Sequence, residues 1–119
     1  EVGLGSPAAY LAAAAYWTVA NSLLEEYVWR WFAVGQCARL MRPAAAVGVG
    51  AAAFALHHVL ALQVYLSWPL ALLCAGGVFA GGVLWGGMFL RYRSVGPVWL
   101  SHGLVDAAVF GSGYVLLFG

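Results

Sequence analysis

Four long apolar runs, each opened by a proline, set the outline of this chain. The prolines stand in Ser6-Pro7, Arg42-Pro43, Trp68-Pro69 and Gly96-Pro97. Proline suits the first turn of a helix, where its missing N–H would have no partner anyway. The runs predict helices at about 8–39, 44–62, 69–91 and 97–118. The first is too long for one upright span, since some 32 residues make about 48 Å of helix against a hydrocarbon core of about 30 Å. It is expected to tilt, project or break, and Asn21-Ser22 is the polar place to break it. In the third run, Gly77 with Gly81 and Gly82 with Gly86 have the small-xxx-small spacing that lets helices approach closely. Ala8 to Ala20 has the look of a secretory leader but lacks a basic start and runs straight into polar residues, so it reads as part of the first helix. Because residue 1 is glutamate and not methionine, further helices upstream are an expectation.

Composition turns these helices into membrane helices. The chain is 65% hydrophobic and 8% charged, with mean hydropathy +0.91 and no lysine, whereas a soluble domain carries about a quarter charged residues. The expected fold is all-α, a polytopic membrane helix bundle of about four transmembrane helices in a single domain, 1–119. A net charge of +1 without a basic run gives no case for nucleic acid. Cys37 and Cys74 fall near opposite ends of their helices, so no disulfide is expected between them. Arg39 and Arg42 flank the first loop, Arg91 and Arg93 the third, and the second loop is uncharged. The positive-inside rule then puts loops one and three in the cytoplasm and both termini outside.

Against this apolar background three short segments stand out: Glu25-Glu26-Tyr27-Val28-Trp29-Arg30, Phe54-Ala55-Leu56-His57-His58, and His102-Gly103-Leu104-Val105-Asp106. An ionisable residue inside a membrane costs several kcal/mol and points to function by default. Arg39 follows Glu25 by 14 residues, about 21 Å of helix, and His58 follows Arg42 by 16, about 24 Å. His102 and Asp106 follow Arg93 by 9 and 13 residues, about 14 to 20 Å. Helices entering from alternate sides thus carry their polar residues to similar depth, which argues for one intramembrane site. Glu26 and Arg30 share a helix face and suit a bidentate pair, while Glu25 is rotated by about 100° and left free. His57 and His58 point to different faces, and the spacing alone does not choose between them. His102 and Asp106, four apart, have the spacing for a hydrogen bond that would fix the imidazole. Each pairing also reads as plain helix-packing polarity. Taken together, a carboxylate base and imidazole donors are what peptide hydrolysis by water needs in a dry site.

In this order on successive membrane helices, EExxxR, FxxxH and HxxxN/D resemble the CPBP family. That family comprises the CAAX prenyl endopeptidases and the bacteriocin-processing and immunity relatives also called Abi proteins. The resemblance runs from about residue 23 to 109 and is carried by the three motifs jointly. It implies a glutamic-type intramembrane endopeptidase with no metal and no cofactor. Its partners would be the lipid bilayer and a peptide or C-terminal segment of a membrane-associated protein. The bacterial relatives imply the inner (plasma) membrane. By motif position, Glu25 is similar to the catalytic glutamate that activates water together with His58. His102 and Asp106 match the pair on the oxyanion side, and Glu26 and Arg30 match residues that support the site or substrate. Trp31 stands where the family commonly has glycine, and Asp106 where prenyl endopeptidases have asparagine. The four-helix core also lacks the extra helices of larger members, which leaves the substrate open.

Three other readings remain at this point. Two histidines and a glutamate fill three positions of a tetrahedral zinc, although the spacing is not HExxH. A non-catalytic binding or bacteriocin-immunity protein keeps the same fold. Carboxylate–histidine relays also serve proton-coupled transporters, although four spans without an internal repeat fit one poorly.

Overall fold

The computed structural model describes residues 5–119, and these form four helices. Helix α1 runs over 7–40, α2 over Pro43–Leu62, α3 over Trp68–Tyr92 and α4 over Val95–Phe118. No strand occurs among the described residues. The last three are each long and apolar enough to cross a membrane. The expected all-α membrane bundle is what forms, as three candidate spans plus the N-terminal helix. Proline occupies the first turn of α1, α2 and α3. Helix α4 starts two residues before its Pro97, capped by Ser94, whose hydroxyl accepts from the Gly96 N–H at 3.3 Å. Pro97 still lies in the first turn, where no N–H is needed.

Helix α1 departs from expectation. It does not break at Asn21-Ser22, where both residues keep helical backbone angles. Instead its α-helical winding is interrupted by two π-helical stretches, Trp17–Asn21 and Glu26–Val34. The polar side chains that suggested a break are satisfied inside the bundle. The Ser22 hydroxyl donates to the Thr18 carbonyl, and Asn21 donates to Glu25. The wider winding has a geometric effect. In a regular α-helix, positions four apart drift by about 40° per step. A π turn is wider and counters that drift. Ser22, Glu26, Arg30 and Val34, each four residues on, are accordingly all buried, at 0%, 0%, 1% and 1% exposure. One straight polar-to-apolar line thus faces the bundle along about three turns.

The core contains one or two large side chains from each helix: Val34, Phe54, Trp85 with Phe89, and Val98. Helices α2 and α3 form a close hairpin through small residues. A Cβ on Gly82 would meet Ala51 Cα at 3.0 Å, and one on Gly86 would meet Val47 at 3.2 Å. The Gly82/Gly86 pair is therefore a packing face, as its spacing suggested. The Gly77/Gly81 pair is not: Gly77 has open space around it and Gly81 touches only Trp85, one turn along its own helix. A Cβ on Gly103 of α4 would meet the Thr18 carbonyl oxygen of α1 at 3.2 Å. Trp99 fastens the same two helices, its Nε1 donating to Val19 O and Ser22 Oγ, each at 3.1 Å. Neither cysteine is in a disulfide; Cys37 is half-buried and Cys74 exposed.

Candidate active site

The charged residues converge where α1 meets α4. Of four acidic residues and five arginines in the chain, Glu25, Glu26, Asp106 and Arg30 gather around His102. The other arginines are exposed.

His102, 5% exposed, is the hub. Its Nδ1 lies 2.6 Å from Glu26 Oε1. A carboxylate accepts, so Nδ1 carries the proton and donates. Its Nε2 faces two carboxylates at once, Glu25 Oε2 at 3.7 Å and Asp106 Oδ1 at 3.6 Å. Both separations are longer than a hydrogen bond and short enough for strong attraction to an imidazolium N–H. The partner that holds the imidazole by hydrogen bond is therefore Glu26, on the neighbouring helix, where spacing had suggested Asp106. The reason is reach: Glu26 comes straight at the ring from α1, whereas Asp106 stands one turn along the ring's own helix.

Glu26 is committed at both oxygens, Oε1 to His102 and Oε2 to Arg30 Nε at 3.3 Å. The Glu26–Arg30 pair forms as spacing suggested, but not in bidentate form. Among the described residues, Arg30 Nη1 and Nη2 and Glu26 Oε2 have no hydrogen-bond partner, so the 3.3 Å contact is an ion pair without a hydrogen bond. The Arg30 guanidinium instead lies over Phe54, 4.2 Å from the ring centroid, and 5.2 Å from Trp85. Stacking on aromatic faces is a favourable use of a planar cation away from water.

Glu25 differs from its neighbour. Its side chain keeps 16% exposure. Oε1 accepts from Asn21 Nδ2 at 3.1 Å, and Oε2 is left facing His102. The site thus has one carboxylate that is tied down and one that is available.

His58 makes no polar contact with this cluster. Its Nδ1 lies 3.0 Å from the Phe54 carbonyl, so that nitrogen donates and Nε2 is the acceptor. Its ring meets Phe54 edge-on at 4.5 Å, and Phe54 in turn meets His102 at 6.2 Å. The two imidazoles flank one aromatic ring. His57 is exposed and packs near Trp29.

Two residues of this site carried no motif. Trp85 of α3 stacks flat on His102, with centroids 4.2 Å apart and planes 19° apart, and its Nε1 donates to Ser101 Oγ at 3.1 Å. Nothing local in the sequence of α3 signals that contact. Asn21 was visible as a polar residue four before Glu25, the spacing of one helix face, but stood out only as a place to break the helix. Among the described residues, no three His, Cys, Asp or Glu side chains converge with metal-binding geometry.

The profile of the type II CAAX prenyl endopeptidase Rce1-like family matches residues 7–108, a span that holds all three motifs. The chain belongs to this family. It is a CAAX-protease-like hydrolase of the membrane, and the family implies intramembrane endopeptidase activity on membrane-associated protein substrates. No match was found among curated proteins or solved structures.

Proposed function

We propose that this protein is a glutamic-type intramembrane endopeptidase in which Glu25 activates water. The observation that carries the proposal is the division of labour around His102. Glu26 fixes Nδ1 at 2.6 Å, while Glu25 and Asp106 stand 3.6–3.7 Å from Nε2. At that distance Oε2 makes no direct hydrogen bond to Nε2, so Glu25 keeps a carboxylate oxygen free to accept from water. Glu25 Oε2 takes a proton from that water, with His58 Nε2 as second acceptor, and the hydroxide attacks the scissile carbonyl carbon. The developing oxyanion accepts a hydrogen bond from His102 Nε2–H, in a site where the low dielectric strengthens such bonds. Collapse breaks the C–N bond, and Glu25 returns its proton to the leaving amine. Asp106 balances the imidazolium. Arg30 neutralises Glu26 and so keeps the fixed carboxylate from competing with Glu25.

The four helices would form one protease domain. The substrate would be a C-terminal or membrane-adjacent segment of a membrane protein, in a bacterial inner membrane. The test is single-turnover cleavage of membrane-anchored peptides, prenylated and plain, by protein in liposomes made with ¹⁸O-labelled water. One label should enter the new carboxyl terminus directly from solvent, no acyl-enzyme should accumulate, and a zinc chelator should have no effect. A trapped acyl-enzyme, or loss of activity on chelation restored by zinc, would refute the mechanism. Folded protein that cleaves no peptide yet still confers protection against a bacteriocin would favour the immunity role.

A further inference from the structure

We propose that Asn21 is a positioning residue that makes Glu25, and not Glu26, the glutamate free to act on water. The inference rests on Glu25 being the base and goes beyond it by assigning what keeps that carboxylate in a working position.

The two glutamates are neighbours on one helix, and each faces the same imidazole. Glu26 is hydrogen-bonded to His102 through Oε1 and ion-paired with Arg30 through Oε2. Glu25 has one direct hydrogen bond, from Asn21 Nδ2 to Oε1 at 3.1 Å. The groups in contact with Glu25 are His102 from α4 and Asn21 from its own helix. His102 Nε2, at 3.7 Å, is the competing donor. A carboxylate with no other partner in an apolar surround would close that distance and form a direct ion pair, because such a bond is strongest where water is scarce. Closing it would tie Oε2 to Nε2 and take away the free carboxylate oxygen that has to accept the proton of the nucleophilic water. Asn21 prevents this by holding Oε1 back along α1. Asparagine is a poor choice for a helix interior and a costly one inside a membrane. Asn21 stands four residues before Glu25, at the end of the first π-helical stretch, and its side-chain hydrogen bond goes to Glu25.

The experiment measures kcat and KM in liposomes for wild type, Asn21→Leu, Asn21→Asp and Asn21→Gln, with Glu25→Gln as reference. Asn21→Leu removes the donor. It should lower kcat by about tenfold to a hundredfold, the usual effect of removing an orienting partner, and leave KM unchanged. Asn21→Asp has the wild-type shape but sets a carboxyl against Glu25 Oε1 in place of the donor amide, so it should lose at least as much kcat at some cost in stability, and the inference stays testable if the leucine variant misfolds. Asn21→Gln still carries an amide and should restore most of the loss. Wild-type kcat in Asn21→Leu or Asn21→Asp would overturn the assignment. So would Asn21→Gln being as impaired as Asn21→Leu, since that pattern belongs to packing. Full activity of Glu25→Gln would instead overturn the choice of base, a result distinguishable from either.

Discussion

Replacing Arg30 by methionine should damage the fold far more than replacing Arg30 and Glu26 together. Arg30 is 1% exposed and Glu26 0%, and they face each other at 3.3 Å. Arg30→Met leaves the Glu26 carboxylate buried with His102 as its remaining partner. Removing one member of a buried ion pair costs about 3–5 kcal/mol, because the other charge stays unsolvated. The lost stacking over Phe54 and Trp85 adds about 2 kcal/mol for a desolvated cation–π contact, partly recovered because methionine also packs well on aromatic rings. The double variant Glu26→Gln/Arg30→Met removes both charges. Glutamine keeps an oxygen that can accept from His102 Nδ1, so that hydrogen bond survives in neutral form. Its stability should return to within about 2 kcal/mol of wild type, since a buried pair and an apolar replacement are often nearly equivalent. The assay is reversible unfolding in mixed micelles titrated with sodium dodecyl sulfate, followed by tryptophan fluorescence, for the two single variants and the double. The reasoning fails if Arg30→Met unfolds at the wild-type midpoint, or if the double variant is no more stable than Arg30→Met alone.

Other outcomes follow from the same contacts. Trp85→Phe keeps a ring over His102 and loses the hydrogen bond to Ser101, a cost of about 1 kcal/mol. Trp85→Ala leaves a cavity beside the imidazole and should cost about 3–5 kcal/mol, and the same micelle titration separates the two. Gly82→Ala should destabilise the α2–α3 hairpin by about 1–3 kcal/mol, the usual penalty of overpacking, because its new Cβ meets Ala51 backbone at 3.0 Å. Gly77→Ala, with nothing within 4 Å, should be neutral or slightly stabilising in that titration, since alanine is the better helix former.

The sequence was most informative where composition and periodicity act alone. Four proline-led apolar runs became four helices with ends within two residues, because every backbone polar group in a membrane must be satisfied inside its own helix. The meeting of Glu25 with His102 and Asp106 was legible from their similar depths, since helix rise is a fixed quantity, whereas His58, placed at similar depth, makes no polar contact with them. Partners across helices were not. Spacing suggested Asp106 as the orienting group because it counts only along one chain, whereas the hydrogen bond comes from Glu26 on another helix. The π-helical winding of α1 was also hidden: Asn21-Ser22 signals polarity, and polarity reads equally as a break or as side chains satisfied within a continuous helix. The flat stack of Trp85 on His102 depends on how α3 and α4 cross, which no local pattern records. His58 was expected beside Glu25, yet its contacts are with the Phe54 carbonyl and the rings of Phe54 and His57.

The most direct measurement is the cleavage rate of Glu25→Gln beside Glu26→Gln and wild type, in liposomes, with each protein shown to be folded by circular dichroism. The account predicts no detectable cleavage by Glu25→Gln at wild-type unfolding midpoint, because loss of a general base alone costs about 10²–10⁴ in rate. It predicts that Glu26→Gln, which can still accept from His102, keeps measurable activity. Cleavage by Glu25→Gln at the wild-type rate would contradict the claim that this carboxylate activates the water.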